Sequence, residues 1–130
     1  MPALGYDEVI VDAMGNVLGR IGNGPVRMLF DAHVDTVEVP DAELWAIPPF
    51  SGAITNGRLH GRGSVDMKSA AAAAVYAGVP ARDSGFTEGT TVYVSCTVME
   101  EDCDGENLKH LFRERLIKNL YLYAHFSPIP

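Results

Sequence analysis

The sequence predicts a layered α/β domain, and three observations carry that expectation. Val26 to Ala32 is a nearly continuous apolar run, the pattern of a strand covered on both faces. Thr90 to Val98 is rich in β-branched residues and reads as a second central strand. Between them, Met67 to Gly78 carries five consecutive alanines after Ser69, residues of high helix propensity that let a helix lie close against a sheet.

Upstream of these, Glu8 to Val11 reads as a short strand, Gly15-Asn16 as a turn and Asn16 to Ile21 as a second strand, together a hairpin. Gly22-Asn23-Gly24-Pro25 breaks the chain before Val26. Pro40 to Pro49 is loop, with Trp45 and Phe50 expected as its anchors. Asn56-Gly57 then turns a small hairpin that delivers the chain to Gly61-Arg62-Gly63. Gly78 and Pro80 are expected to end the alanine-rich helix. An acidic turn follows Val98, and a helix from Glu106 to Leu116 is read from Leu108, Leu111, Phe112 and Leu116 at helical spacing. Ile117 to Pro130 holds no acid, three aromatics and two prolines, a change of character from what precedes it.

Composition bounds the function. A chain of 130 residues that is 47% hydrophobic is one domain. It would bury roughly two-thirds of its unfolded surface, so neither disulfides nor a structural metal is needed merely to fold it. Cys96 and Cys103 are too few for a disulfide framework, and the N-terminus lacks the basic and apolar regions of a signal peptide, so the chain reads as cytoplasmic. No apolar stretch approaches the ~20 residues of a membrane helix. A net charge of −7 argues against nucleic acid, whose phosphates require clustered Lys and Arg. The acidity is local: five carboxylates fall between Glu100 and Glu106, leaving twelve acids against ten bases elsewhere. Such a stretch is either a solvated loop or a cation site.

Three clusters fall just beyond predicted strands or at a helix entrance, where open α/β sheets place their ligands. His33 and Asp35 share one side of an extended segment. Asp35 can therefore hold one imidazole nitrogen while the other binds a metal, or the pair is a simple hydrogen bond. Asp66 sits where a phosphate loop would need glycine, and its charge would repel a phosphate. It suits a cation, with a helix N-cap as the alternative. Glu100 and Glu101 fit a division of labour between a metal ligand and a general base, with a solvated turn as the alternative. An EF-hand reading of Glu100 to Leu111 fails, because position twelve must be a bidentate Glu and is Leu111.

Taken together, Phe30-Asp-Ala-His33-Val-Asp35-Thr-Val, Asn56-Gly-Arg-Leu-His-Gly-Arg-Gly-Ser-Val-Asp66-Met-Lys68 and Val98-Met-Glu100-Glu101-Asp-Cys-Asp-Gly105 resemble the dinuclear zinc amidohydrolase/peptidase family. That family includes acetylornithine deacetylase, succinyl-diaminopimelate desuccinylase, aminoacylase and carboxypeptidase G. The Glu100-to-Gly105 run and the stretch from Met14 to Gly24 further resemble its selenium-metabolism-linked hydrolase branch.

The resemblance spans about Leu4 to Leu116 and implies a three-layer αβα fold with a mixed central sheet. It implies that His33 binds one zinc, Glu101 the other and Asp66 both, with cobalt or manganese as substitutes. Asp35 would orient His33. Glu100 would be the base that activates a metal-bridging water toward an amide bond of a peptide or N-acyl amino acid. Family members continue with a strand ending in a carboxylate ligand, then a lid and dimerisation domain, and finally a histidine ligand. None of these is visible here, so His125 is the one candidate replacement, while His60 and His110 read as structural. The expectation is a partial catalytic domain, residues 1–116, with a discordant tail, 117–130. Such a chain would be inactive alone although the full-length form would be a homodimer. A non-catalytic metal-binding or dimerising remnant is the alternative.

Overall fold

A computed structural model describes residues 1–103, 105–114, 116–117 and 119–125, with the backbone alone described at His125. The N-terminal hairpin forms as the sequence predicts, β1 (Glu8–Val11) against β2 (Val17–Ile21), with Val11 opposite Val17. β3 (Val26–His33) follows, then the short hairpin β4 (Ile54–Thr55) and β5 (Arg58–Leu59) turned by Asn56 and Gly57 at positive φ. The helix α1 (Ser69–Asp83) leads to β6 (Thr90–Thr97). A short helical turn, α2 (Glu100–Cys103), the helix α3 (Glu106–Arg113) and a final strand, β7 (Leu122–His125), complete the chain.

The main sheet is mixed, in the order β1-β2-β6-β3-β7. β2 runs antiparallel to β6, whereas β3 runs parallel to both β6 and β7. Period-2 alternation along β6 divides the core. Val92 and Val94 pack with Ile21, Ala74 and Tyr6 on the α1 face. Tyr93 packs with Leu18, Leu29, Leu111 and Ile117 on the α3 face. Three layers result, and fully buried leucines such as Leu29 and Leu111 each contribute on the order of 1.5–3 kcal/mol.

Several expectations need correction. The alanine-rich helix starts at Ser69 rather than Met67, because Ser64–Lys68 forms a kinked turn in which Asp66 and Met67 leave helical geometry and their peptide is cis. It also continues past Gly78 and Pro80 to Asp83. Gly78 is buried where α1 crosses Tyr6 and Ile21, and a Cβ there would meet them at 2.6 and 2.7 Å. Its lack of a side chain serves packing rather than termination. The acidic turn contains α2, and α3 stops at Arg113, three residues short of Leu116. Trp45 and Phe50 are exposed, at 38% and 74%, so neither is the buried anchor expected of its loop. Residues 122–125, part of the compositionally distinct tail, join the sheet beside β3 through pairings from Met28↔Leu122 to Asp31↔His125.

Candidate metal centre

Because β3 and β6 are parallel, their carboxyl ends share one rim. His33 closes β3 and is 2% exposed, and Glu100 opens α2 three residues after β6 ends. The kinked turn before α1 brings Asp66 to the same rim, where its Oδ1 lies 3.1 Å from His33 Nε2. Asp66 makes no capping bond at the helix start, so its carboxylate is free for the imidazole. Glu100 Oε2 lies 3.8 Å from the same nitrogen. On the far side of the ring, Asp35 Oδ1 faces Nδ1 at 3.5 Å, and neither atom has a hydrogen-bond partner. The other oxygen of Asp35 accepts the backbone N–H of Glu101 at 3.1 Å.

One ligand atom from each of His33, Asp66 and Glu101 lies within 4.8 Å of the others. An imidazole nitrogen and two carboxylates are hard-to-borderline donors of the kind that hold zinc and similar divalent ions, with a position left open. With Glu100 added, three carboxylates crowd one imidazole, an arrangement that repels itself unless positive charge sits among them. The residues present therefore fit a divalent cation. A groove of about 330 Å³ opens beside them, lined in part by Trp45, Arg62, Asp66 and Glu101, with the Arg62 guanidinium 5.2 Å above the Trp45 ring. A separate cavity of about 380 Å³ between α1 and the sheet is apolar and carries no ionisable group.

His60 and His110 lie elsewhere. His60 Nε2 pairs with Thr55 Oγ1 at 2.7 Å within the small hairpin, and His110 Nε2 stands 3.6 Å from Asp12 Oδ2. The His125 side chain is outside the described residues.

Sequence reasoning overlooked Asp31. This carboxylate is 2% exposed beneath α3 and accepts hydrogen bonds from the hydroxyls of Ser95 and Thr97 on β6. It also accepts from Tyr123 on β7, whose hydroxyl pKa is pushed up to about 12 by burial first, then by the Asp31 charge and this bond, with Glu100 adding to it. Burial, reinforced by Asp31, likewise pushes the Cys96 thiol up. The available signal was one acid inside a largely apolar run, two residues before His33.

Comparison with known proteins places this arrangement. Residues 29–127 match peptidase family M20/M25/M40. The chain is 44% identical over 105 residues to the uncharacterized protein YgeY of Escherichia coli strain K12, covering 81% of this chain and 26% of that protein. It is 38% identical over 80 residues to a succinyl-diaminopimelate desuccinylase of Parvibaculum lavamentivorans, covering 62% of this chain and 20% of the relative. The chain thus spans about a quarter of the length of the curated relatives it matches. Among solved structures, the M20 family metallo-carboxypeptidase Sso-CP2 of Sulfolobus solfataricus superposes with a TM-score of 0.76 at 22% identity, over 95% of this chain and 29% of that one. Human carnosine dipeptidase 1 gives 0.72 at 19% identity, over 95% and 30%. These two likenesses speak for the fold. By its family match, with the fold in agreement, the chain belongs to peptidase family M20/M25/M40.

Proposed function

We propose that the chain is part of a metal-dependent hydrolase of amide bonds whose substrate is a peptide or an N-acyl amino acid. The observation that carries this reading is the convergence of His33, Asp66 and Glu101 within 4.8 Å, with Glu100 beside the same imidazole. The desuccinylase and dipeptidase names borne by similar proteins support a small amide as substrate. His33 and Glu101 would each hold one of two zinc ions and Asp66 would bridge them, cobalt or manganese serving as substitutes.

When bound, the metal supplies a Lewis acid that polarises a carbonyl and brings the pKa of water toward about 7. The chain's own residues do the rest. With metal bound, Asp35 would close its 3.5 Å separation from His33 Nδ1, accept that N–H as a hydrogen bond and hold Nε2 toward the centre. Glu100 accepts a proton from the attacking water and returns it to the nitrogen of the departing amine. The groove beside Trp45 and Arg62 seats the substrate next to these groups. Among the described residues no helix is long and apolar enough to cross a membrane.

The test is the zinc content of the purified chain after chelation and dialysis against zinc, beside Asp66→Ala. Zinc bound by the natural sequence and lost in the variant is the expected result, and zinc in neither overturns the proposal. Glu100→Gln should then retain zinc while hydrolysis of an N-acyl amino acid falls by about 10²- to 10⁴-fold. Zinc bound without any turnover would favour a metal-binding role without catalysis.

A further inference from the structure

We propose that Asn16 is a positioning residue that ties off both ends of the acidic segment 98–107 and so sets Glu100 and Glu101 against His33. Asn16 lies in the turn between β1 and β2, far from the rim in sequence, and is 0% exposed. Its Oδ1 accepts the backbone N–H of Val98 at 3.0 Å, directly after β6. Its Nδ2 donates to the backbone carbonyl of Asn107 at 3.4 Å, in the first turn of α3. One amide thus touches the segment where it leaves the sheet and where it enters the next helix.

The tie is itself held. Asn16 Nδ2 also donates to Asp12 Oδ2 at 2.8 Å, and Asp12 Oδ1 accepts the backbone N–H groups of Met14 and Asn16, both at 2.9 Å. Between the two tied ends the sequence places five carboxylates, whose mutual repulsion favours an extended loop. Met99 is also held at a φ of 62°, a left-handed conformation that non-glycine residues adopt only under constraint. The fixed ends oppose both tendencies. They leave Glu101 N–H within reach of Asp35, and Cys103 N–H bonded to the Met99 carbonyl at 3.2 Å. An amide suits this place because it offers an acceptor to Val98 and donors to Asp12 and Asn107 at once.

What the tied segment presents rests on the metal-centre reading; the tie itself is measurable without metal. The experiment compares amide hydrogen exchange of the full metal-free chain with that of Asn16→Ala and of the swapped pair Asp12→Asn/Asn16→Asp. The swap keeps an acceptor for Val98 and a hydrogen bond between the two side chains, but sets a carboxylate oxygen against the Asn107 carbonyl, so it restores the Val98 end and not the Asn107 end. In Asn16→Ala, exchange at Val98, Glu101 and Cys103 should rise on the order of tenfold, with the β3–β6 ladder unchanged. The swapped pair should return exchange at Val98 to within about threefold of the natural chain, since only that end is restored. Cobalt affinity and the visible spectrum of bound cobalt should move in Asn16→Ala. Exchange rising uniformly along the chain, or not rising at 98–103, would overturn the proposal. If Asn16→Ala does not fold, a folded swapped pair with raised exchange at Val98 overturns the proposal equally, and one that protects Val98 like the natural chain supports it. A natural chain that binds no cobalt would refute the metal centre, while the exchange pattern would still decide the role of Asn16.

Discussion

Asp35 and Glu101 are joined by a hydrogen bond from the Glu101 backbone N–H to Asp35 Oδ2 at 3.1 Å, across 66 residues of sequence. Because the other oxygen of Asp35 faces His33 at 3.5 Å, one carboxylate lies against both the imidazole and the turn that carry the candidate ligands. Asp35→Ala is expected to weaken zinc binding by about 10- to 100-fold, read by competition with a chelating dye. Unchanged affinity would remove Asp35 from the centre.

At Gly78 two effects oppose each other. Alanine is favoured over glycine in a helix by about 1 kcal/mol. Yet its Cβ would press on Ile21, which is 1% exposed, and on Tyr6, whose hydroxyl donates to the Val75 carbonyl at 2.8 Å. Overpacking of this kind costs about 1–3 kcal/mol, so Gly78→Ala should lower stability by about 1 kcal/mol in urea denaturation. A gain in stability would mean that α1 can lift from the sheet without penalty.

Asp31 depends on its hydroxyl donors. Tyr123→Phe removes one of them without changing ring volume, and the expected loss is about 1 kcal/mol. The same variant should leave thermal stability no lower if β7 does not pair with β3 in solution, so this melt also checks the edge strand.

Alkaline pH should loosen the fold through two tyrosines. Tyr6 and Tyr123 are both raised from 10.0 to about 12, chiefly by burial. A raised pKa means that their contribution is complete below pH 10 and is lost as pH rises through about 12. Tyr6, 8% exposed, carries more of it than Tyr123, which is 42% exposed. In a phenolate absorbance titration, two of the five tyrosines should ionise late, and Tyr6→Phe should remove one of them. Five tyrosines ionising together near 10 would refute this.

Much of this architecture could be read from residue patterns because the strands obey simple periodicities. The doubly buried run before His33 and the β-branched run before Glu100 located the rim, and the candidate ligands lie on it. Long-range packing hid the rest. Gly78 looks like a terminator until Tyr6 and Ile21 are placed against it, and Asn16 looks like turn chemistry until Val98 and Asn107 reach it. Asp31 was absorbed into a hydrophobic run because its partners come from two other strands. β7 is four residues long and has no periodicity of its own, so only its pairing with β3 defines it.

The position of β3 between two parallel neighbours bears on how a cation is captured. The strand that ends in His33 is paired on both sides along Met28 to Asp31, so the imidazole is mounted just beyond a stretch with no free edge. Asp66 and Glu101 come from a kinked turn and a single helical turn. If the centre holds an ion as proposed, the imidazole would be its fixed post and these two carboxylates its clasp.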